Sequence, residues 1–202
     1  NNREDVFAAF RRKETFATSG PRIKVRLFAG YNYPAAIFAR KDFAKLAYGQ
    51  GVPMGSNLAL AGRGAPTFLA QAIKDANSAG LQRLQIIKGW SENGQLKEAV
   101  YDIACASGVP DNKTHRCPAV AANVNTKTCR INPKLGAPEL KIAWRDPEFD
   151  AKRRAFYYVR VLENPTCRWS TYEANLLGKP VRKELPLTIQ ERAWSSPIWV
   201  RG

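Results

Sequence analysis

Apolar residues follow two rhythms along this chain. Near the start, Val6, Phe7 and Phe10 recur at helical spacing, behind Asn2, Glu4 and Asp5 and ahead of Arg11, Arg12 and Lys13. A capping Asn, acids at the positive end of the dipole and bases at the negative end predict a helix over 2–12. After it the period shortens to two. Residues 15–18 read as a short strand. Residues 22–28 alternate strictly, with Ile23, Val25 and Leu27 against Arg22, Lys24 and Arg26, which predicts a half-exposed strand. Residues 81–90 alternate again. Glu92-Asn93-Gly94 is a hairpin turn signal, and 95–106 runs back as the partner strand.

The densest apolar run is Phe156, Tyr157, Tyr158, Val159, Val161 and Leu162, with Arg160 as its one charge. It predicts a central strand buried on both faces, stopped by Asn164-Pro165. Residues 190–200 close the chain as a strand, and Pro197 inside it implies an edge or a bulge. Short helices are expected over 41–48 and 171–177. Residues 140–144 form a strand or a helical turn, and 66–74 is apolar and open between helix and strand. Glycines including Gly49, Gly51, Gly55, Gly62 and Gly64 imply loops around any strand in 56–61. Residues 107–132 are polar and read as a long loop. Strands predominate after residue 22, so the fold class is mainly β (α+β), with a β-sandwich-like domain.

The 202 residues, 45% hydrophobic and 24% charged, are ordinary for a globular protein. They suffice for a core without metals or staples. No apolar run reaches the ~20 residues of a membrane helix. The chain opens on Asn1-Asn2-Arg3 with neither a leader-type apolar core nor an initiator Met, which reads as a portion of something longer.

The 32 Lys and Arg against 17 Asp and Glu leave a net charge of +15, which attracts anions. The cations are dispersed, and the densest runs are Arg11-Arg12-Lys13 and Lys152-Arg153-Arg154. A basic tail or basic helix is missing, which argues against nucleic acid. Cys105, Cys117, Cys129 and Cys167 include no C-x-x-C, and His115 stands alone, so a zinc site is not expected. An even cysteine count fits disulfides in an oxidising compartment. Three pairings are possible, of which Cys105–Cys117 with Cys129–Cys167 is favoured.

A His-rich metallohydrolase centre cannot be built from His115 alone, and that residue is expected to be an exposed loop side chain. A G-x-S-x-G elbow, a Walker loop and a G-x-G-x-x-G are all absent. The turn Thr18-Ser19-Gly20-Pro21-Arg22 joins hydroxyls, glycine and a guanidinium at a strand end, where an oxyanion or phosphate could sit. Arg168 beside Trp169, and Arg192 two before Trp194, either bind anions or stack on the rings. Thr18, Ser19, Arg22, Arg168 and Arg192 are therefore the candidate anion-site residues. Five Trp and seven Tyr among many cations also suit sugar or single-strand binding, although most Trp lie in apolar strand contexts that favour core.

The segments FAAFRRKETFATSGPRI (7–23), LQIIKGW (84–90), WRDPEFD (144–150), FYYVRVLENPTCRWST (156–171) and IQERAWSSPIW (189–199) resemble a large bacterial family of uncharacterised exported proteins. That family in turn resembles the polymerase-and-histidinol-phosphatase type of metallohydrolase. The resemblance implies a metal-binding α/β barrel preceding this chain, holding divalent metal ions, with residues 1–22 closing it and 23–202 as a β-rich C-terminal domain. It implies a periplasmic or secreted bacterial hydrolase acting on phosphoesters or related esters. No catalytic residue, metal or cofactor is expected within this chain, which alone would be inactive. Its implied partners are the upstream portion of the same polypeptide and an anionic small-molecule substrate, with Arg22 or Arg168 walling the cleft. Two alternatives stand beside it: a non-catalytic basic β-domain for polyanions or glycans, and a structural domain that stabilises the barrel. The last requires an exposed apolar patch along Val6, Phe7 and Phe10.

Overall fold

Alternation along Ala155–Glu163 organises the molecule. In the computed structural model, which describes residues 2–60 and 64–201, this strand (β9) pairs on both edges. Along one edge runs Leu81–Glu92 (β6), itself paired with Gln95–Cys105 (β7). Along the other edge lie Arg192–Ser195 (β12) and Ile198–Arg201 (β13), end to end. Ser196-Pro197 interrupts them, because Pro brings no N–H to the ladder. At that break the Ser195 hydroxyl accepts the Val159 N–H at 3.0 Å, so the β9 backbone stays satisfied. Phe16–Thr18 (β1) extends the sheet beyond β12, and Asn57–Ala59 (β4) pairs in parallel with β13.

A second sheet, all antiparallel, runs in the order Gly51–Pro53 (β3), Lys24–Gly30 (β2), Thr67–Ile73 (β5), Glu139–Arg145 (β8). The two sheets face each other across one core. Val25, Leu27 and Ala29 come from β2 and Phe68, Ala70 and Ala72 from β5. They meet Leu84 and Ile86 of β6, Tyr101 of β7, and Tyr157, Val159 and Val161 of β9. This is a β-rich sandwich of two open sheets, 38% strand and 15% helix. The far face of the smaller sheet is covered by Phe43–Gln50 (α2) and the 3₁₀ turn Ile37–Ala39, with Phe28, Ile37, Ala47 and Leu69 buried between. Residues 66–74 are thus a strand apolar on both faces. They do not alternate because both sides are covered.

Three expectations change. β9 is central but not buried on both faces: Ala155, Tyr157, Val159 and Val161 point inward, whereas Phe156, Tyr158, Arg160 and Leu162 are exposed or half-buried. His115 is half-buried, its ring 5.1 Å from that of Tyr101. The strand predicted within 56–61 is only β4, and Gly62 lies outside the described residues. The hairpin forms as read, with Asn93 and Gly94 both at positive φ (52° and 74°), the geometry of a tight two-residue turn.

Two disulfides, Cys105–Cys117 and Cys129–Cys167, hold the strandless segment 107–132 against β7 and against Thr166–Cys167 (β10). The second lies beside Trp169–Leu177 (α3), whose Tyr172 hydroxyl donates to the Cys129 carbonyl at 2.6 Å. β10 pairs with Thr188–Ile189 (β11).

Arg3–Arg12 (α1) differs from the other α-helices in burying no residue. Its cap is as expected, the Asn2 side chain accepting the Asp5 N–H at 2.8 Å. Yet none of its residues is buried. Val6, Phe7 and Phe10 are 56%, 65% and 67% exposed. The helix is fixed only near its end, where Lys13 turns left-handed and the following residues enter β1.

Candidate functional site

The turn between β1 and β2 already holds the chain's own carboxylates. The Ser19 hydroxyl meets the Glu191 carboxylate and accepts the Arg192 N–H at 2.9 Å. The Arg22 N–H donates to Asp75 Oδ2 at 2.7 Å, and Asn77 N–H to Oδ1 at 2.9 Å. The backbone N–H of Arg22, with that of Asn77, holds the Asp75 carboxyl below the usual carboxylate range. Thr18 faces Ala193 across the β1–β12 pair, and the Arg192 guanidinium donates to the Gln190 carbonyl at 3.3 Å. The structure therefore gathers Thr18, Ser19, Arg22 and Arg192 around one turn, where the Ser19 hydroxyl and the Arg22 backbone N–H already meet Glu191 and Asp75. Arg168 sits on a separate element, at the start of α3. Its N–H donates to the Leu187 carbonyl at 2.9 Å, while its Nε is buried without a hydrogen-bond partner.

A further carboxyl lies below this turn. Glu163, fully buried at the end of β9, accepts from the Ser78 hydroxyl at 2.5 Å, and its Oε1 has no partner. Burial pushes it up to about 7, with the neighbouring charges of Asp75 and Glu191 acting in the same direction. Near neutrality this group holds a proton part of the time. The end of the sandwich that the sequence marks as anion-binding thus collects Asp75, Glu163 and Glu191.

The residue types that sequence reasoning left unassigned meet inside the core. Lys88 of the LQIIKGW segment, Asp146 and Glu148 of WRDPEFD, and Tyr157 of FYYVRV converge there. Lys88 Nζ lies 2.5 Å from Asp146 Oδ2, both side chains buried, and donates to the Glu148 carbonyl at 2.8 Å. The Tyr157 hydroxyl donates to the same Asp146 oxygen at 2.8 Å, and the Tyr101 hydroxyl to Glu148 Oε2 at 2.9 Å. Burial first, and the carboxylates second, push both tyrosines well above the usual phenol range. The Lys88 ammonium also lies 5.3 Å from the centre of the Trp90 ring. Both side chains are buried, and the pair fixes β6 and β9 against the 146–148 turn. The alternation of 81–90, read as Leu84 and Ile86 against Gln85 and Lys88, is corrected by the structure: Lys88 is two residues after Ile86, falls on the inward face with it, and an inward lysine demands a buried anion.

A comparable knot lies on the outer face of the large sheet. The buried Asp102 carboxylate accepts from Gln85 at 2.5 Å, Arg83 at 3.0 Å and the Cys117 N–H at 2.7 Å. Gln85 in turn accepts from Arg160 at 2.7 Å, which accounts for the one charge inside β9. Among the described residues no group of three or more His, Cys, Asp or Glu side chains is placed to hold a metal ion.

Over residues 1–202, the sequence matches the family described as "Protein of unknown function (DUF3604)". The chain belongs to this family. No curated protein and no solved structure matches it. The segments carrying the family resemblance include those that supply the Lys88–Asp146–Tyr157 cluster, so this DUF3604 chain uses them to join its two sheets. Its two disulfides fit an oxidising, extracytoplasmic environment. No described helix is long and apolar enough to cross a membrane.

Proposed function

We propose that this chain is the β-rich C-terminal portion of an exported bacterial metal-dependent hydrolase of the polymerase-and-histidinol-phosphatase type, acting on phosphoesters or related esters. The divalent metal centre lies in a preceding α/β barrel of the same polypeptide, and residues 1–22 join that barrel to the sandwich. The observation that carries the preceding barrel, whether this domain serves its chemistry or only stabilises it, is α1, an amphipathic, well-capped helix whose Val6, Phe7 and Phe10 stay more than half exposed. A helix of ten residues has little stability alone in water and draws it from packing. The charge of +15 favours an anionic ester as substrate.

The test uses the protein expressed from its natural reading frame. Metal content by mass spectrometry and hydrolysis of p-nitrophenyl phosphate esters are measured before and after chelation. Bound divalent metal with chelator-sensitive hydrolysis supports the proposal, and a protein with neither overturns it. Arg168→Ala is expected to lower kcat/KM for an anionic ester about tenfold, the loss of one partly desolvated charge contact.

A further inference from the structure

We propose that the outer face of the large sheet, where β6, β9 and β13 run side by side, is a binding platform for an acidic sugar unit, a pyranose carrying a carboxylate or sulfate. This inference does not rest on the proposed hydrolase activity.

A groove of about 530 Å³ opens there, within the size range of small-molecule sites. Its floor is built by register. Gly89 of β6 faces Phe156 of β9, and Phe156 faces Trp199 of β13. Gly89 is what makes the floor flat. A Cβ at that position would lie 2.2 Å from Phe156 Cζ, so the ring lies down over the β6 backbone instead of standing away from the sheet. Phe156 nevertheless stays 37% exposed and runs nearly parallel to Tyr158, at 14°. A β-sheet that spends large aromatics on its open face, while the opposite sheet's outer face is covered by α2, leaves ring faces for something else to cover.

The occupant follows from what this floor can and cannot offer. All three floor strands are paired along both edges, β6 with β7 and β9, β9 with β6 and β13, β13 with β9 and β4. A peptide cannot add here as a strand, and recognition must come from side chains on the face. The floor is apolar and aromatic, and its rim is cationic. Arg154 and Arg201 line the groove against the single carboxylate Glu98. Arg201 is held by Asn57, while Arg154 is exposed. An apolar face with a negative substituent at its edge is the shape of an acidic pyranose, whose C–H face packs on aromatic rings. Single-stranded nucleic acid needs successive ring platforms and a cationic track along several phosphates, and one Phe–Trp pair with one cationic rim is too short for that.

The test is calorimetry on the whole protein with four probes: an oligogalacturonate, a sulfated dextran oligosaccharide, neutral dextran and a single-stranded oligonucleotide. Binding of either acidic saccharide, with neutral dextran at least tenfold weaker, is expected, and which of the two binds identifies the anionic group. Trp199→Ala and the double variant R154A/R201A each should weaken that binding tenfold or more. R182A/K183A, which removes equal charge from another surface, should change it less than twofold. If Trp199→Ala melts early, the surface double variant alone decides. The proposal is overturned if neither acidic saccharide binds, if neutral dextran binds as well, if the remote double variant weakens binding as much as R154A/R201A, or if the oligonucleotide binds more tightly than either sugar.

Discussion

Lys88 is a cation held inside the core, 2% exposed. Its ammonium is shared by Asp146 and the Glu148 carbonyl, and Tyr157 completes the Asp146 oxygen. Removing one partner strands the other in a medium that cannot solvate it. Lys88→Met should therefore cost about 3–5 kcal/mol in urea unfolding, and K88M combined with D146L should cost less than K88M alone. Glu163 sets a pH dependence of opposite character. Its proton affinity is raised on folding, from 4.5 to about 7, so the stability it contributes is complete below 4.5 and lost as pH rises through 7. Glu163→Gln should flatten that decline between pH 5 and 8 and raise stability at pH 8 by on the order of 1–3 kcal/mol, read from melting curves across pH. At this scale the sequence shows polar residues but not their partners. The Asn2 cap is legible because the accepting side chain and its donor, the Asp5 N–H, are three residues apart. The anion-binding reading of Ser19 and Arg22 could not foresee Glu191 and Asp75, which arrive from 172 and 53 residues away.

Among elements, the hairpin of β6 and β7 was the most legible, because its turn chemistry and its alternation agree. β5 gave no period, since α2 and the 3₁₀ turn cover its second face with residues distant in sequence. β9 misled in the opposite sense. Its open face carries Phe156 and Tyr158, and composition alone cannot separate an aromatic that is buried from one left available. Pro197 marked the break between β12 and β13 because a missing N–H is a local fact. The disulfide pairing was within reach for the same reason: Cys105 ends one partner of the clear hairpin, and Cys117 lies in the loop that follows. The 12-residue separation there predicts a loss of about 3 kcal/mol for C105S/C117S by loop entropy, measurable by urea unfolding against the intact protein.

At the scale of the molecule, two sheets close over one core while one helix stands outside it. Every strand of the sandwich finds a partner, and Val6, Phe7 and Phe10 find none within the described chain. The sandwich itself does not need them: V6S/F7S/F10S should change the stability of residues 1–202 by less than about 1 kcal/mol, as exposed substitutions do. The proposed barrel does need them, and that contrast gives the most direct test. Hydroxyl-radical footprinting of the protein from its natural reading frame reads side-chain cover at Phe7 and Phe10. Leu96, 90% exposed at the far hairpin, serves as the open reference once intrinsic reactivities are corrected. Modification of Phe7 and Phe10 at least tenfold below that reference is the predicted result. Modification equal to that of Leu96 would contradict a barrel seated on α1.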